Sequence, residues 1–419
     1  MSCMPEKDNG SNGSNPRIRA VEVFPVKADN QDFICLRDPE GFAERPVFLN
    51  PVHVFLVSRM DGKHSLRDIQ ADFARATGDI LPMEALEGLV RQLDEQYYLD
   101  SPRFRNHYEL LVQEFKSSLY RPARHAGSSY PDECGQLESQ LKRIFEHPEG
   151  PGNSLCPDFS RPLRGLIAPH IDFSRGGPTY AHAYKALAEH PGADIFIIFG
   201  TCHTPMPQRF SIRGKTYETP LGAAKTDEGF IELLFSKLDH QYSDDFPHRA
   251  EHSIEFQAVC LRYILGRKQD FRIVPILVGS FHDIYSAGRT AAEDPEINKV
   301  VKALRETIAE HKGRVCIIAG ADLAHVGVRF GDPAGPTEES LREIERVDRA
   351  FLGLAASGDA EGLFQSIAAD NDSRRVCGYP SIYMTLRCMD HPQGKLLQYR
   401  QWADLNAGAA VTFAAMALY

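Results

Sequence analysis

No stretch of this chain stays apolar for the ~20 residues that a helical membrane span requires, and none of its nine cysteines pair as Cys-x-x-Cys. The first absence excludes a helical membrane protein. The second removes the thioredoxin-like reading, and scattered thiols fit a reducing compartment better than a disulfide framework. Basic residues are also short, 47 against 57 acidic ones, and the net charge of −10 argues against a broad nucleic-acid surface. Met1 to Pro16 is rich in Gly, Ser and Asn and has no apolar core of the kind a signal peptide carries. Residues 1–29 are therefore expected to form a disordered tail, and the protein to be cytoplasmic. At 419 residues and 42% hydrophobic content the chain exceeds one ordinary domain, so two are expected.

What is present begins with Gly165-Leu-Ile-Ala-Pro-His170-Ile-Asp-Phe and, after a second apolar run, Ile198-Phe-Gly-Thr-Cys-His203-Thr-Pro. The runs Leu163 to Ala168 and Ile195 to Phe199 are short, aliphatic or aromatic, and bounded by Pro or Gly, as parallel strands covered on both faces should be. Each delivers an imidazole at its exit, and ligands in open α/β sheets bind at the carboxyl ends of strands. Phe271 to Gly279 and Arg314 to Gly320 repeat the pattern, the latter leading into Asp322-Leu-Ala-His325. Glu251-His252-Ser-Ile-Glu255 reads as the opening of a helix with Ile254, Ala258 and Leu261 on one face, which would make His252 and Glu255 surface neighbours. Cys377 stands before a Gly and Pro turn.

Together with Arg121-Pro-Ala-Arg-His-Ala-Gly-Ser-Ser-Tyr-Pro131 and Thr219-Pro-Leu-Gly222, these motifs resemble the Memo family, which is related in fold to the class III extradiol (LigB-type) dioxygenases. The resemblance covers 121–419 and implies an α/β fold, an open mixed or largely parallel sheet with flanking helices. It implies that His170, His203 and Cys377 are metal ligands, that His252 is the acid/base, and that Asp322 and His325 shape the surroundings or polarise a substrate. Iron(II) is the expected metal, with copper or zinc as alternatives, because a thiolate in place of the relatives' carboxylate softens the ligand set. Bacterial members carry the label AmmeMemoRadiSam, which implies a radical-SAM partner. One departure is Gly320-Ala321, where the family usually has small hydroxyl residues.

Blander readings stand beside these. A His at a strand end can be a hydrogen-bonded core residue, Cys377 can be an inert buried thiol, and His252 with Glu255 can be a solvated helix pair. His-x-x-Glu also suggests an inverted zinc-protease motif, but Phe256 stands where that motif needs His. At the level of function, metal-dependent oxidation or oxygen activation competes with a non-catalytic peptide- or metal-binding module and with direct ring cleavage.

The first hundred residues have their own pattern. Asn50-Pro51 is a helix start, Ser65 with Asp68 resembles a capping box, and Leu86, Leu89, Val90 and Leu93 recur at helical spacing after Pro82. Three short helices and the extended Tyr97-Tyr98-Leu99 suggest a small winged-helix domain over 30–104. From about Val47 to Pro102 the segment resembles the PqqD-like family, whose members capture a peptide leader. Its acidic surplus removes the footprint of a DNA-binding winged helix, whereas strand-edge peptide capture needs no positive charge. A purely structural domain is the alternative. Tyr108, Leu111, Phe115 and Leu119 predict a connecting helix over 105–120.

Overall fold

The computed structural model describes residues 15–28, 31–212, 215–266 and 270–419. The chain divides into two compact units, Met1–Glu114 and Phe115–Tyr419. About half of the expected tail, 1–14 together with residue 29, lies outside the described residues. The rest of it does not behave as a tail: Arg17 and Ile18 bridge to Asp61 and Leu99, and strand β1 (Glu22–Ala28) pairs antiparallel along all of β2 (Gln31–Arg37). The sequence hid this strand because most of its side chains are exposed or half-buried, so no clean apolar alternation marks it.

β3 (Val47–Leu49) completes a three-stranded sheet in the order β1-β2-β3. Helices α1 (Pro51–Ser58), α2 (Leu66–Thr77) and α3 (Met83–Glu95) share one core with it, including Leu36, Leu49, Leu56, Ile69, Leu86 and Leu93. The caps are as expected: Asn50 accepts from the His53 N–H at 2.9 Å, and Ser65 and Asp68 close a reciprocal capping box. The long helix α4 (Pro102–Ser117) follows, with Phe115 buried.

In the second unit the order is β4 (Tyr120–Arg121), α5 (Cys134–Phe145), β5 (Gly165–Ala168), α6 (Phe173–Glu189), β6 (Ile195–Thr201), β7 (Phe210–Ser211), β8 (Thr216–Tyr217), β9 (Lys225–Thr226) and α7 (Glu228–Phe235). There follow α8 (Glu255–Leu265), β10 (Arg272–Val278), α9 (His282–Ser286), α10 (Pro295–Glu310), β11 (Val315–Gly320) and β12 (Asp322–Gly327). α11 (Glu338–Ala356), α12 (Ala360–Ala369), α13 (Tyr379–Cys388), β13 (Gly394–Asp404) and β14 (Ala409–Leu418) end the chain. The main sheet runs β12-β14-β5-β11-β6-β10-β7, with β13 on β14 and β9 on β10. Its centre, β5, β11, β6 and β10, is parallel, and β14, β12 and β13 add antiparallel strands at one side.

Every central strand buries both faces, which explains its unbroken apolar reading. Ile195, Ile197 and Phe199 pack on one side with α7, α10, α12 and α13, while Phe196 and Ile198 pack on the other with α5, α6 and α8. Among the described residues no helix is long and apolar enough to cross a membrane.

Candidate metal centre

β5, β11 and β6 lie side by side with Ala168, Gly320 and Gly200 in register. Their exits are therefore level, and the residues just beyond them, His170, Asp322 and His203, meet above the same end of the sheet. A fourth element closes the site. The turn Glu251 to Ile254 precedes α8 and is stitched to the strand exits: Ser253 Oγ donates to the Thr201 carbonyl at 2.8 Å, and Gln257 Nε2 donates to the Pro169 carbonyl at 2.8 Å. Gly320 permits this approach, since a Cβ there would stand 2.7 Å from the Ser253 carbonyl oxygen. At Gly320 the departure from a small hydroxyl residue thus has a steric reason in this chain. Gly378 does the same for the segment carrying Cys377, because its Cβ would meet the Asp322 carbonyl oxygen at 2.4 Å and the Ala321 Cβ at 2.5 Å.

The result is a cluster of three imidazoles. Ligand nitrogens of His170, His203 and His252 all lie within 4.8 Å of one another. The His203 and His252 rings stack at 4.7 Å, and His170 stands edge-on to both. In each ring Nδ1 is engaged. His170 Nδ1 is 3.0 Å from the Gly320 carbonyl oxygen, and Glu251 lies 3.1 Å from His203 Nδ1 and 3.3 Å from His252 Nδ1. A carbonyl or carboxylate oxygen can only accept, so in His170 and His203 Nδ1 carries the proton and Nε2 the lone pair. Orienting imidazoles through the far nitrogen is how proteins prepare them for a metal.

Charge supports the same arrangement. Burial drives the His170 and His252 pKa values down and keeps both rings neutral near pH 7. Burial alone would raise the Glu251 carboxyl. The imidazoles of His203 and His252 outweigh it, aided by the backbone N–H of His203, and hold the group well below the usual carboxylate range. Glu251 accepts from the backbone N–H of His203, His252 and Ser253 at 2.8–2.9 Å.

Cys377 Sγ lies 3.3 Å from His170 Nε2. Because burial and then the nearby Asp322 push the thiol pKa well up, the S–H donates to that nitrogen. Asp322 accepts the backbone N–H of His170 at 2.9 Å and has its other oxygen 3.6 Å from His170 Nε2. His325 Nδ1 is held by the carbonyls of Leu323 and Arg375 at 3.1 and 3.2 Å, and burial pushes its pKa down to about 4.

All six residues singled out in the sequence come to this end of the sheet, but the expected setting of His252 is corrected. It is not on the helix, which starts at Glu255. It sits in the preceding turn, where Glu251 can reach it. Glu255 instead turns into the protein, where it pairs with Arg121 and accepts from Tyr130 Oη and from the His125 N–H. Glu251, Arg121 and His125 have no role of their own in the sequence reading, and Glu255 has only that of a surface partner for His252. The available signal was the run of three ionisable residues in five, immediately before an apolar helix.

A parallel sheet sandwiched between helices, with histidines at adjacent strand exits, defines an α/β protein with a candidate metal centre. The model for Memo-like proteins matches residues 121–417, and the chain belongs to that family. It is similar to a MEMO1 family protein of Aquifex aeolicus, 29% identical over 96% of this chain and the whole of that protein. A MEMO1 family protein of Thermus thermophilus is 27% identical over 83% of this chain and 96% of its own length. One from Methanosarcina acetivorans is 31% identical over 70% of this chain and 96% of its own.

Proposed function

We propose that the protein binds one redox-capable metal ion on His170, His203 and His252, with Cys377 beside it, and uses it in oxidation or oxygen activation. The observation that carries this is the cluster itself: ligand nitrogens of His170, His203 and His252 lie within 4.8 Å of one another, Nδ1 of His170 and of His203 is hydrogen-bonded to an acceptor, and Nδ1 of His252 lies 3.3 Å from Glu251. Iron(II), the favoured ion, or copper supplies electron transfer and oxygen binding, whereas zinc supplies only polarisation. The chain's own residues do the rest. Asp322 fixes the His170 backbone, Glu251 aligns two rings, and the Cys377 thiol and the His325 imidazole hold or accept a proton at the edge of the site.

A second ligand set is supported by the 3.3 Å contact of Cys377 Sγ with His170 Nε2. Here Cys377 is a thiolate ligand with His170 and His203, and His252 moves protons. Substitution separates the two. On the first reading His252→Gln loses the metal and Cys377→Ser retains it; on the second the outcomes reverse, and a cobalt(II)-loaded protein shows a sulfur charge-transfer band. Anaerobic iron(II) loading followed by oxygen uptake tests the redox assignment. One bound metal without uptake in the presence of candidate peptides or catechols would favour a non-catalytic module.

The first unit extends the proposal as a PqqD-like docking domain for an extended peptide, which a radical-SAM partner would help to modify. Its support is that β1 and β3 are the outer strands of their sheet and that Val23 and Phe48 on them are more than half exposed. Phe48→Glu in the full chain should weaken binding of candidate leader peptides in calorimetric titration, and unchanged affinity would remove this extension.

A further inference from the structure

Arg121 is fully buried, and it reaches the backbone of the segment that carries Glu251 and His252. Its Nε donates to the His248 carbonyl at 2.9 Å, one Nη donates to the Glu251 carbonyl at 2.7 Å, and the other pairs with Glu255 and the Pro122 carbonyl. Its guanidinium also lies 4.9 Å from the centre of the Tyr217 ring, whose hydroxyl is 2.8 Å from His248 Nδ1. Glu255 completes the frame by accepting from Tyr130 Oη and, at 3.0 Å, from the N–H of His125. The His125 ring meets His252 edge-on at 5.7 Å.

The geometry therefore clamps the Glu251 residue from both ends. Its carboxylate reaches up to His203 and His252, while its carbonyl is held from below by a guanidinium. We infer that Arg121 and Glu255 are positioning residues for the metal centre: they fix the backbone of Glu251 and so set where the two imidazoles it orients can point. A planar guanidinium with five donors in a fixed fork can hold two carbonyls and a carboxylate at once, which an ammonium cannot. Disturbing the outer partners of metal-binding imidazoles typically costs ~10–100-fold in metal affinity. This inference rests on the reading that the imidazoles hold a metal.

The test measures cobalt(II) and zinc(II) dissociation constants by chelator competition in the full chain, together with the cobalt(II) absorption spectrum and thermal unfolding. The variants are Arg121→Lys, Glu255→Gln and the double variant Arg121→Met/Glu255→Gln, which removes both buried charges. Positioning predicts ~10-fold or greater weakening and an altered spectrum in the folded double variant, with partial recovery in Arg121→Lys. A folded double variant with wild-type affinity and spectrum overturns the inference, as does one that cannot fold, since the pair is then only a folding element. Failure of the wild-type protein to bind either ion, or unchanged binding in His170→Ala, would instead remove the metal reading itself.

Discussion

Glu251 and Glu255 stand four residues apart, both are buried, and they face opposite partners. Glu255 meets a guanidinium, so its charge is neutralised within the protein. Glu251 meets two imidazoles and three backbone N–H groups, none of which is a permanent cation. A buried charge without a permanent counter-charge is costly, and the protein sustains this one directly behind the cluster of His170, His203 and His252. The difference between the two sides of one turn separates a scaffold from a candidate site: the Arg121 side pairs two full charges within the protein, and on the imidazole side the proposed metal ion would supply the missing cation.

The largest effect expected is on that cation. His170→Ala and His203→Ala should each abolish stoichiometric metal after dialysis, read by elemental analysis, and full occupancy in both would break the comparison at its centre. Next in size is the scaffold side. Arg121→Met strands Glu255 without its partner, and losing one member of a fully buried pair typically costs ~3–5 kcal/mol. Denaturant unfolding of the metal-free protein should show that loss, and Glu251→Gln should cost less, since no formal cation is stranded. Equal losses would mean that the two carboxylates are not different in kind.

Much of this was legible in the sequence, because the strands of the second unit are covered on both faces and their exits carry His170, His203 and Asp322 on adjacent strands. The caps at Asn50 and Ser65 were legible for the same local reason. What could not be read was pairing at a distance. Glu251 looks like one more polar residue until Ser253 is stitched to the β6 exit, and Arg121 is 134 positions away from Glu255. His252 was misplaced because Ile254, Ala258 and Leu261 keep helical spacing across a boundary that lies at Glu255, and periodicity fixes such ends poorly. Strand β1 escaped notice because it buries little.

A sharper version of the comparison uses metal affinity alone. Glu251→Gln keeps the shape of the side chain and one acceptor oxygen but removes the charge and frees one imidazole from its orienting acceptor. Chelator competition should then show ~10–100-fold weaker binding, with the far-ultraviolet spectrum unchanged. An affinity within error of wild type would make Glu251 a purely structural residue.

The smallest effect, and the one that reads the imidazole side without any mutation, is the response to acid. Burial lowers the pKa of His170, His252 and His125, and that of His325 and His248 falls to about 4. An unfolded chain takes up protons on its histidines near pH 6.5, so between that value and the folded-state values the unfolded state binds more protons. Stability is then fully present above about pH 6.5 and is lost as pH falls toward about 4. Glu251, whose pKa is depressed, adds loss in the same direction below its ordinary range. The metal-free protein should therefore show a Tm that declines steadily from pH 7 to pH 4. Bound zinc should raise the Tm at pH 7 and progressively less only as pH falls through the depressed folded-state values toward about pH 4, because protons then compete with the metal for the imidazole nitrogens. A stabilisation by zinc that does not change with pH would place the ion elsewhere than on these imidazoles.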